Sequence, residues 1–251
     1  MILSFYSGIA QLKSTLDLPK DTSFFPAIRN EIEVQNIFLN LDSDDVAAYF
    51  KRALLYYQLG EFNTCVSEQN KILKRFPQHA SDAYSNRGMC YCDLKQYSLA
   101  LEDLTRAKAL APDDPMSYLN LAYAKAEIKD YKGSIAHLDT AILLNPGYAK
   151  AYVNRGVAKG ESKDYEGAIK DLDKALEIDP YYMEAYLNRA YDHFHANHFD
   201  LAIADFNKAL ALQPLLHCSG FYWNRAKAFE KKGDIMNAKL DYDLAKSLER
   251  K

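Results

Sequence analysis

Small and apolar residues recur three and four positions apart through most of the chain, and residues 149–182 show this pattern most clearly. From Tyr165 to Ile178 the recurring residues are Ala168, Ile169, Leu172, Ala175, Leu176 and Ile178. This spacing places them on one face of a helix with about 3.6 residues per turn. The segment from Ala149 to about Ser162 has the same periodicity. The stretch therefore predicts two antiparallel helices, which we call helix A and helix B.

Prolines mark the end of these units at a constant interval. Pro112, Pro146, Pro180 and Pro214 each follow the previous one by 34 residues. Proline disfavours helical geometry in the residue before it, so each one closes a helix B. A fixed period of 20–50 residues indicates stacked copies of one supersecondary unit. The sequence thus predicts an array in which each copy buries its apolar face against the next copy.

Six copies can be aligned, and we count positions from the first residue of each copy. They are 46–79, 81–114, 115–148, 149–182, 183–216 and 219–251. The recurrent positions 4, 8, 20, 24, 27 and 32 hold, in the fourth copy, Tyr152, Gly156, Ala168, Leu172, Ala175 and Pro180. This signature resembles the tetratricopeptide repeat (TPR). The resemblance implies an all-α fold, an α-solenoid of antiparallel helix pairs in a right-handed superhelix, with helix A lining the concave side.

Residues 1–45 have two interpretations. Leu39 to Leu41 fits the tail of a helix B, and Ile2 to Leu16 could be a helix A with Gly8 at its small position. Lys20 to Pro26 would then be an inserted loop. The segment is either a degenerate seventh repeat or an irregular helical cap of the kind that repeat arrays need at their ends.

Position 6 carries asparagine in five successive copies: Asn86, Asn120, Asn154, Asn188 and Asn224. Each amide offers both a donor and an acceptor, so the row could hold the backbone of an extended peptide. By the resemblance, apolar residues lie beside it on the inner face: Leu119, Tyr123, Val153, Val157, Leu187, Tyr191, Phe194 and Trp223. These residues are predicted to bind a partner. The alternative is that the asparagines serve only the helices and that some of the apolar residues are buried between repeats.

Position 7 and position 23 vary together. An arginine is matched by an acid in five copies: Arg52 with Glu68, Arg87 with Asp103, Arg155 with Asp171, Arg189 with Asp205, and Arg225 with Asp241. The third copy loses both, with Leu121 and His137 in their places. We interpret these as structural ion pairs between helix A and helix B.

Composition excludes several classes of function. The chain of 251 residues is 49% hydrophobic and has a net charge of −3, which gives no electrostatic case for nucleic acid or anionic lipid. No apolar run approaches the length of a membrane span, and Met1 to Leu3 lacks a basic signal-peptide region. We therefore expect a cytoplasmic protein without nucleic-acid or membrane partners.

The cysteines and histidines form no recognisable catalytic or metal-binding motif in the sequence. Cys65, Cys90, Cys92 and Cys218 show neither zinc spacing nor a disulfide framework, and we expect reduced, packed thiols. His193, His195, His198 and His217 lack the spacing of a helical metal site. We expect no enzyme activity, no cofactor and no metal.

The function predicted from the sequence is a protein–protein interaction scaffold that binds a partner peptide or helix. One alternative is a co-chaperone that clamps the C-terminal carboxylate of Hsp70 or Hsp90. The clamp of that family has Lys at position 5 and Asn at position 9, and no copy of this chain has either. Lys150 does match the lysine that the clamp has at position 2. Another alternative is a regulatory or substrate-recruiting subunit of a separate enzyme. A weak homodimer through the C-terminal end is also predicted, through a stripe of Ala238, Tyr242, Ala245 and Leu248.

Overall fold

The computed structural model describes residues 25–213 and 219–249, and in these ranges it contains thirteen α-helices and no strand. The helices are α1 (Phe25–Leu41), α2 (Val46–Gln58), α3 (Phe62–Arg75), α4 (Ala80–Asp93), α5 (Tyr97–Leu110), α6 (Pro115–Glu127), α7 (Tyr131–Leu144), α8 (Ala149–Glu161), α9 (Tyr165–Ile178), α10 (Met183–His195), α11 (Phe199–Leu212), α12 (Ser219–Lys232) and α13 (Ile235–Glu249). A 3₁₀ turn, Pro77–His79, joins α3 to α4. None of the helices in these two ranges could span a lipid bilayer.

Helices with even numbers from α2 to α12 are the predicted helices A, and each packs on the helix B that follows it. The described chain divides into two compact units. One holds α1 to α7 and ends at Leu144, and the other begins at Asn145 and holds α8 to α13. Within each unit the fold is the predicted solenoid of antiparallel helix pairs.

Small residues let the two helices of a repeat approach closely. A methyl group built on Gly156 of α8 would lie 2.9 Å from the Leu172 side chain and 3.2 Å from the Ala168 carbonyl oxygen of α9. Ala168 and Leu172 are fully buried. In this repeat position 8 is therefore a tight A–B contact with no room for a side chain, whereas four other copies hold alanine there: Ala53, Ala122, Ala190 and Ala226.

The turn between helix A and helix B uses a left-handed residue at position 15. Gly60, Lys95, Lys129, Lys163, Asn197 and Gly233 all have positive φ, between 59° and 89°. Hydrogen bonds of the helix-ending type close each turn, as in Lys163 N to Gly160 O at 2.8 Å and Asp164 N to Lys159 O at 2.9 Å. Three lysines thus adopt a conformation that favours glycine or asparagine.

Helix α1 has the register of a helix B in front of the first repeat. Asn36 accepts a hydrogen bond of 2.8 Å from Nη1 of Arg52, as Asn207 does from Arg225 in a complete repeat pair. The predicted loop through Pro26 is wrong at its end, because Phe25 and Pro26 form the first turn of α1, where proline is tolerated. The predicted helix A from Ile2 to Leu16 lies outside the described residues.

The cysteines differ from the prediction. Cys65 of α3 and Cys90 of α4 form a disulfide with their Cα atoms 6.7 Å apart, so the expectation of free thiols is wrong for this pair. The two residues lie where helix B of the first repeat packs on helix A of the second, and both are buried. Burial raises the pKa of the remaining described thiol, Cys92, to about 12. Cys218 lies outside the described residues.

The stripe predicted to be uncovered at the C-terminal end is instead packed within the last pair. Ala238 and Ala245 are buried, and Leu248 contributes to the core that Phe221 and Phe206 form. Tyr242 donates a hydrogen bond of 2.7 Å to Glu230. The apolar residues that α13 leaves exposed are Ile235, Met236, Leu240 and Leu244. The correction follows from helix geometry, because the stripe at 238, 242 and 245 is the one that faces α12.

Candidate functional site

The face that positions 5, 6, 9 and 12 form on each helix A, which we call the helix-A face, carries the predicted partner-binding residues. The five asparagines of this row are not equivalent. Asn86, Asn154 and Asn224 are half-buried, and their side chains make no hydrogen bond within the part of the chain that the structure describes. Their amides are therefore open to a hydrogen-bonding partner from outside the chain.

The other two asparagines are buried. Asn120 donates a hydrogen bond of 2.9 Å from Nδ2 to Oγ of Ser85, which holds position 5 of the preceding repeat. Asn188 is 8% exposed, and its Nδ2 has no hydrogen-bond partner among the described residues. Val153 holds position 5 of the repeat before Asn188, and it offers no acceptor. The difference between the two asparagines thus follows from one residue on the neighbouring helix A.

Three of the predicted apolar contacts belong to the core. Leu119, Val153 and Leu187 are 2%, 1% and 6% exposed. Val153 packs with Leu172 and Leu176, and Leu187 packs in a cluster with Phe206 and Phe221. The prediction that position 5 contacts a partner is wrong for these three residues, because there the side chain fills the space between repeats.

The remaining apolar residues of the prediction keep part of their surface in solvent. Tyr123, Val157, Phe194 and Trp223 are half-buried, and Tyr191 is 40% exposed. Tyr191, Tyr165 and Phe194 surround His195, with ring centroids 4.3, 5.2 and 5.3 Å from its imidazole. The pKa of His195 is lowered, first by partial burial and then by Lys227. Aromatic surface on the helix-A face is therefore concentrated at the end of α10.

His193, His195 and His198 belong to no group of described side chains that could hold a metal ion. Nδ1 of His193 lies 3.4 Å from Nδ1 of His198, and burial lowers the pKa of His193. In the described ranges no group of three or more His, Cys, Asp or Glu side chains could hold a metal ion. His217 lies outside these ranges.

All five predicted arginine–acid pairs are present as two-pronged contacts from Nε and Nη2. Arg189 reaches the two carboxylate oxygens of Asp205 at 2.7 Å each, and Arg225 does the same with Asp241. The other pairs are Arg52 with Glu68, Arg87 with Asp103, and Arg155 with Asp171, at 2.6 to 3.0 Å. The five acids are buried and the five arginines are mostly so. Their placement between helix A and helix B leaves little charge for a ligand.

A third partner of these arginines was missed by the sequence analysis. Nη1 reaches back to position 25 of the preceding copy, from Arg87 to Asn70, from Arg189 to Asp173 at 2.6 Å, and from Arg225 to Asn207 at 2.8 Å. Each of these three arginines therefore ties two neighbouring repeats together. The sequence contains a sign of this contact. The copy with Leu121 in place of the arginine is preceded by a copy with Thr105, and not Asn or Asp, at position 25. Each arginine also lies over the tyrosine at position 4, such as Arg189 over Tyr186 at 5.5 Å.

The lysine that the co-chaperone alternative requires is largely buried. Burial lowers the pKa of Lys150 to about 8, and Glu184 partly opposes this shift. A clamp for a carboxylate needs an accessible ammonium group on the helix-A face. The described residues therefore give the co-chaperone alternative no support beyond the partial match of the sequence.

Comparison with known proteins agrees with the repeat boundaries. Tetratricopeptide repeat family models match residues 81–114 and 149–182, residues 183–216, and residues 46–79 and 117–148. No curated protein sequence matches the chain. Repeats of this kind stack into arrays with extended surfaces that serve as protein-interaction scaffolds.

Solved structures support the same fold. The chain is similar to the APC/C hetero-tetramer Cut9-Hcn1, with 17% identity and a TM-score of 0.69 over 88% of this chain and 43% of that chain. It therefore spans less than half the length of that neighbour. A tetratricopeptide repeat protein from Parabacteroides merdae matches 96% of this chain and 93% of its own, with 15% identity and a TM-score of 0.67. MamA matches 63% of this chain and 92% of its own, with 26% identity and a TM-score of 0.54. Because the family models match more than half of the residues, in register with the helix pairs, this protein belongs to the tetratricopeptide repeat family.

Proposed function

We propose that this protein is a non-catalytic scaffold that binds an extended segment or a helix of a partner protein on the helix-A face. The observation that carries the proposal is the state of Asn86, Asn154 and Asn224. They are half-buried and make no hydrogen bond within the described chain. A half-buried amide without a partner is satisfied when a ligand supplies an acceptor and a donor, as a peptide backbone does.

Aromatic residues beside these amides supply the apolar part of the contact. Trp223 and Phe194 are half-buried and Tyr191 is more exposed than either. Large rings that keep part of their surface in solvent are the usual anchors of interfaces. The partner would thus be held by hydrogen bonds to its backbone and by apolar contacts with its side chains.

The test begins with the selection of peptides from a random library on the whole protein. The selected peptides are then labelled and titrated with the parent protein and with its variants. Asn154→Ala combined with Asn224→Ala should weaken binding about thirtyfold, because net hydrogen-bond contributions are about 1 kcal/mol each. The melting temperature should stay within about 2 °C of the parent. Asn63→Ala, an exposed asparagine on helix B of the first repeat, is the matched control and should change nothing. Unchanged affinity of the double variant would contradict the proposal.

Weak self-association through the C-terminal end is part of the same proposal, with different residues from those predicted. Met236, Leu240 and Leu244 lie four residues apart on α13 and are exposed. They form one stripe of the helix. A second copy that brings the same stripe would bury both.

We also propose that the protein is cytoplasmic. The redox state of the Cys65–Cys90 pair tests this location. Disulfides persist in oxidising compartments and are reduced in the cytosol. When the cells are quenched in acid and the protein is denatured before alkylation, both cysteines, which are buried in the folded chain, should therefore be labelled. Full protection of both residues from alkylation would contradict the cytoplasmic location.

A further inference from the structure

Acidic and aromatic side chains meet at the end of α10 in a group that we call the Tyr165 cluster: Glu161, Tyr165, Tyr191, Asp192 and His195. The rings of Tyr165 and His195 are stacked at 5.2 Å, and Tyr191 lies 4.3 Å from the same imidazole. The pKa of Tyr191 is raised by burial, by Glu161, by Tyr165 and by Asp192, so both carboxylates lie close to this ring. Glu161, Tyr191 and His195 are exposed to solvent.

The packing of the repeats does not explain why an acid, Asp192, is buried in this cluster. This aspartate stands at position 10, where the other copies have Leu55, Cys90, Ala124, Ala158 and Ala228, all buried. Asp192 is itself 2% exposed, and its carboxyl makes no hydrogen bond or ion pair within the described chain. A buried carboxyl without a partner is costly, which makes it a candidate for a role outside the packing of the chain.

A similar group of acidic and aromatic side chains lies in the other compact unit, two copies earlier in the sequence. We call it the Tyr97 cluster, and its members are Tyr57, Asp93, Tyr97, Tyr123 and Glu127. Asp93, Tyr97 and Tyr123 hold the same positions as Glu161, Tyr165 and Tyr191. The hydroxyl of Tyr57 donates to Asp93, and that of Tyr97 donates to Glu127 at 3.4 Å.

The electrostatic field of the Tyr97 cluster is negative. Burial raises the pKa values of Tyr57, Cys92, Tyr97 and Tyr123, and Asp93 acts on all four in the same direction. No lysine or arginine contributes to any of these shifts. Both clusters therefore combine tyrosine rings with two carboxyl groups.

We infer that the Tyr165 cluster binds the cationic side chain of a lysine or arginine in the partner segment. This inference rests on the proposed function and specifies the chemistry of the partner. An ammonium or guanidinium group is attracted by aromatic faces, and Glu161 supplies a negative charge beside them. The buried carboxyl of Asp192 lies against Gly160 and holds a proton in the unbound protein, and a cation bound beside it would favour its charged form. Lys227 of α12 acts on His195 from the edge of the cluster, but it forms no ion pair in the described chain.

The test uses fluorescein-labelled peptides of repeated Gly-Ser-Lys, Gly-Ser-Arg and Gly-Ser-Gln, titrated with the whole protein at about 50 mM salt, where surface charge is weakly screened. The basic peptides should bind at least about tenfold more tightly than the glutamine peptide. Glu161→Gln with Tyr191→Ala should lower the affinity for them about fivefold or more. The matched control, Glu177→Gln with Tyr181→Ala, removes the same charge and ring from exposed positions outside the cluster and should bind as the parent does. Equal loss in both double variants, or equal affinity for the glutamine peptide, would overturn the inference.

Two further variants separate recognition from folding. Tyr191→Phe keeps the ring and should retain binding, whereas Glu161→Gln alone changes one exposed side chain and should reduce it. The library selection described above separates this inference from the proposed function. Selected peptides without enrichment in lysine or arginine that still depend on Asn154 and Asn224 would overturn the cation site and leave the scaffold intact. Selected peptides that ignore both sets of residues would overturn both.

Discussion

The carboxylate of Asp192 lies directly against the backbone of Gly160, so that a methyl group built on Gly160 would stand 2.5 Å from Oδ1 of Asp192. Gly160 is the last residue but one of α8, at position 12, and Asp192 faces it from α10. The absent side chain of the glycine makes room for the acid. The two residues are a matched pair in the contact between two helices A of the second unit, and they yield two predictions.

Asp192→Ala is expected to stabilise the protein, and more so as the pH rises. Burial, and then Glu161, raises the pKa of Asp192 from its ordinary 3.8 to about 8. The folded state therefore holds a proton that the unfolded state releases, and the parent loses stability as the pH rises from about 4 to about 8. The advantage of the variant should grow by about 1 kcal/mol per pH unit in urea denaturation at pH 5, 6 and 7. Asp243→Ala, an exposed acid on α13, is the control. A difference that does not change with pH would contradict the account.

Gly160→Ala is expected to destabilise the protein by about 1–3 kcal/mol, because the added methyl group collides with the Asp192 carboxylate. The double variant with Asp192→Ala should recover most of the loss, since the collision partner is then gone. Thermal denaturation of the four proteins measures this coupling. Additive losses would show that the two residues do not interact.

Lysine at a left-handed turn is expected to be a site of strain. Lys95, Lys129 and Lys163 have φ of 59°, 63° and 70°. Replacing each by glycine should raise the free energy of unfolding by about 0.5–1 kcal/mol, although glycine also gains entropy in the unfolded chain. Lys170→Gly, in the middle of α9, should lower it by a similar amount. Destabilisation at all four positions would contradict the turn geometry.

The arginine clamps are expected to be structural. Arg87→Leu leaves Asp103 buried without its partner and should cost about 3 kcal/mol. Adding Asp103→His should restore part of the stability, because the third repeat combines Leu121 with His137 in the same positions. Chemical denaturation of the single and double variants checks this. A double variant no more stable than Arg87→Leu would argue against the interpretation.

The helix pairs, their register and the small positions were predictable from the sequence because they follow from a period of 34 residues repeated in one chain. The burial of Leu119, Val153 and Leu187 was not, because periodicity places a residue on a face and does not say how closely the next helix A packs there. The contact between Arg189 and Asp173 joins two repeats, and it was missed because only positions within one copy were compared. The disulfide was missed because Cys65 and Cys90 meet through the stacking of repeats.

Self-association is expected to depend on the exposed stripe of α13. Leu240→Glu places a charge in the middle of this stripe and should make the protein monomeric at all concentrations. Tyr242→Glu would test the stripe of the sequence prediction, but it also breaks the hydrogen bond to Glu230. Sedimentation velocity over a range of concentrations distinguishes the two variants. A parent protein that is monomeric throughout would contradict the proposed self-association.

Photo-crosslinking shows whether the helix-A face holds the partner. A photoreactive phenylalanine analogue is placed at Tyr191 on helix A, or at Leu201 on helix B, both of which are exposed. Each protein is irradiated with a labelled peptide taken from the library selection, and the adducts are identified by mass spectrometry. A partner on the helix-A face gives a peptide adduct at position 191 that unlabelled peptide competes away, and none at position 201. An adduct at position 201 without one at position 191 would contradict this placement of the partner.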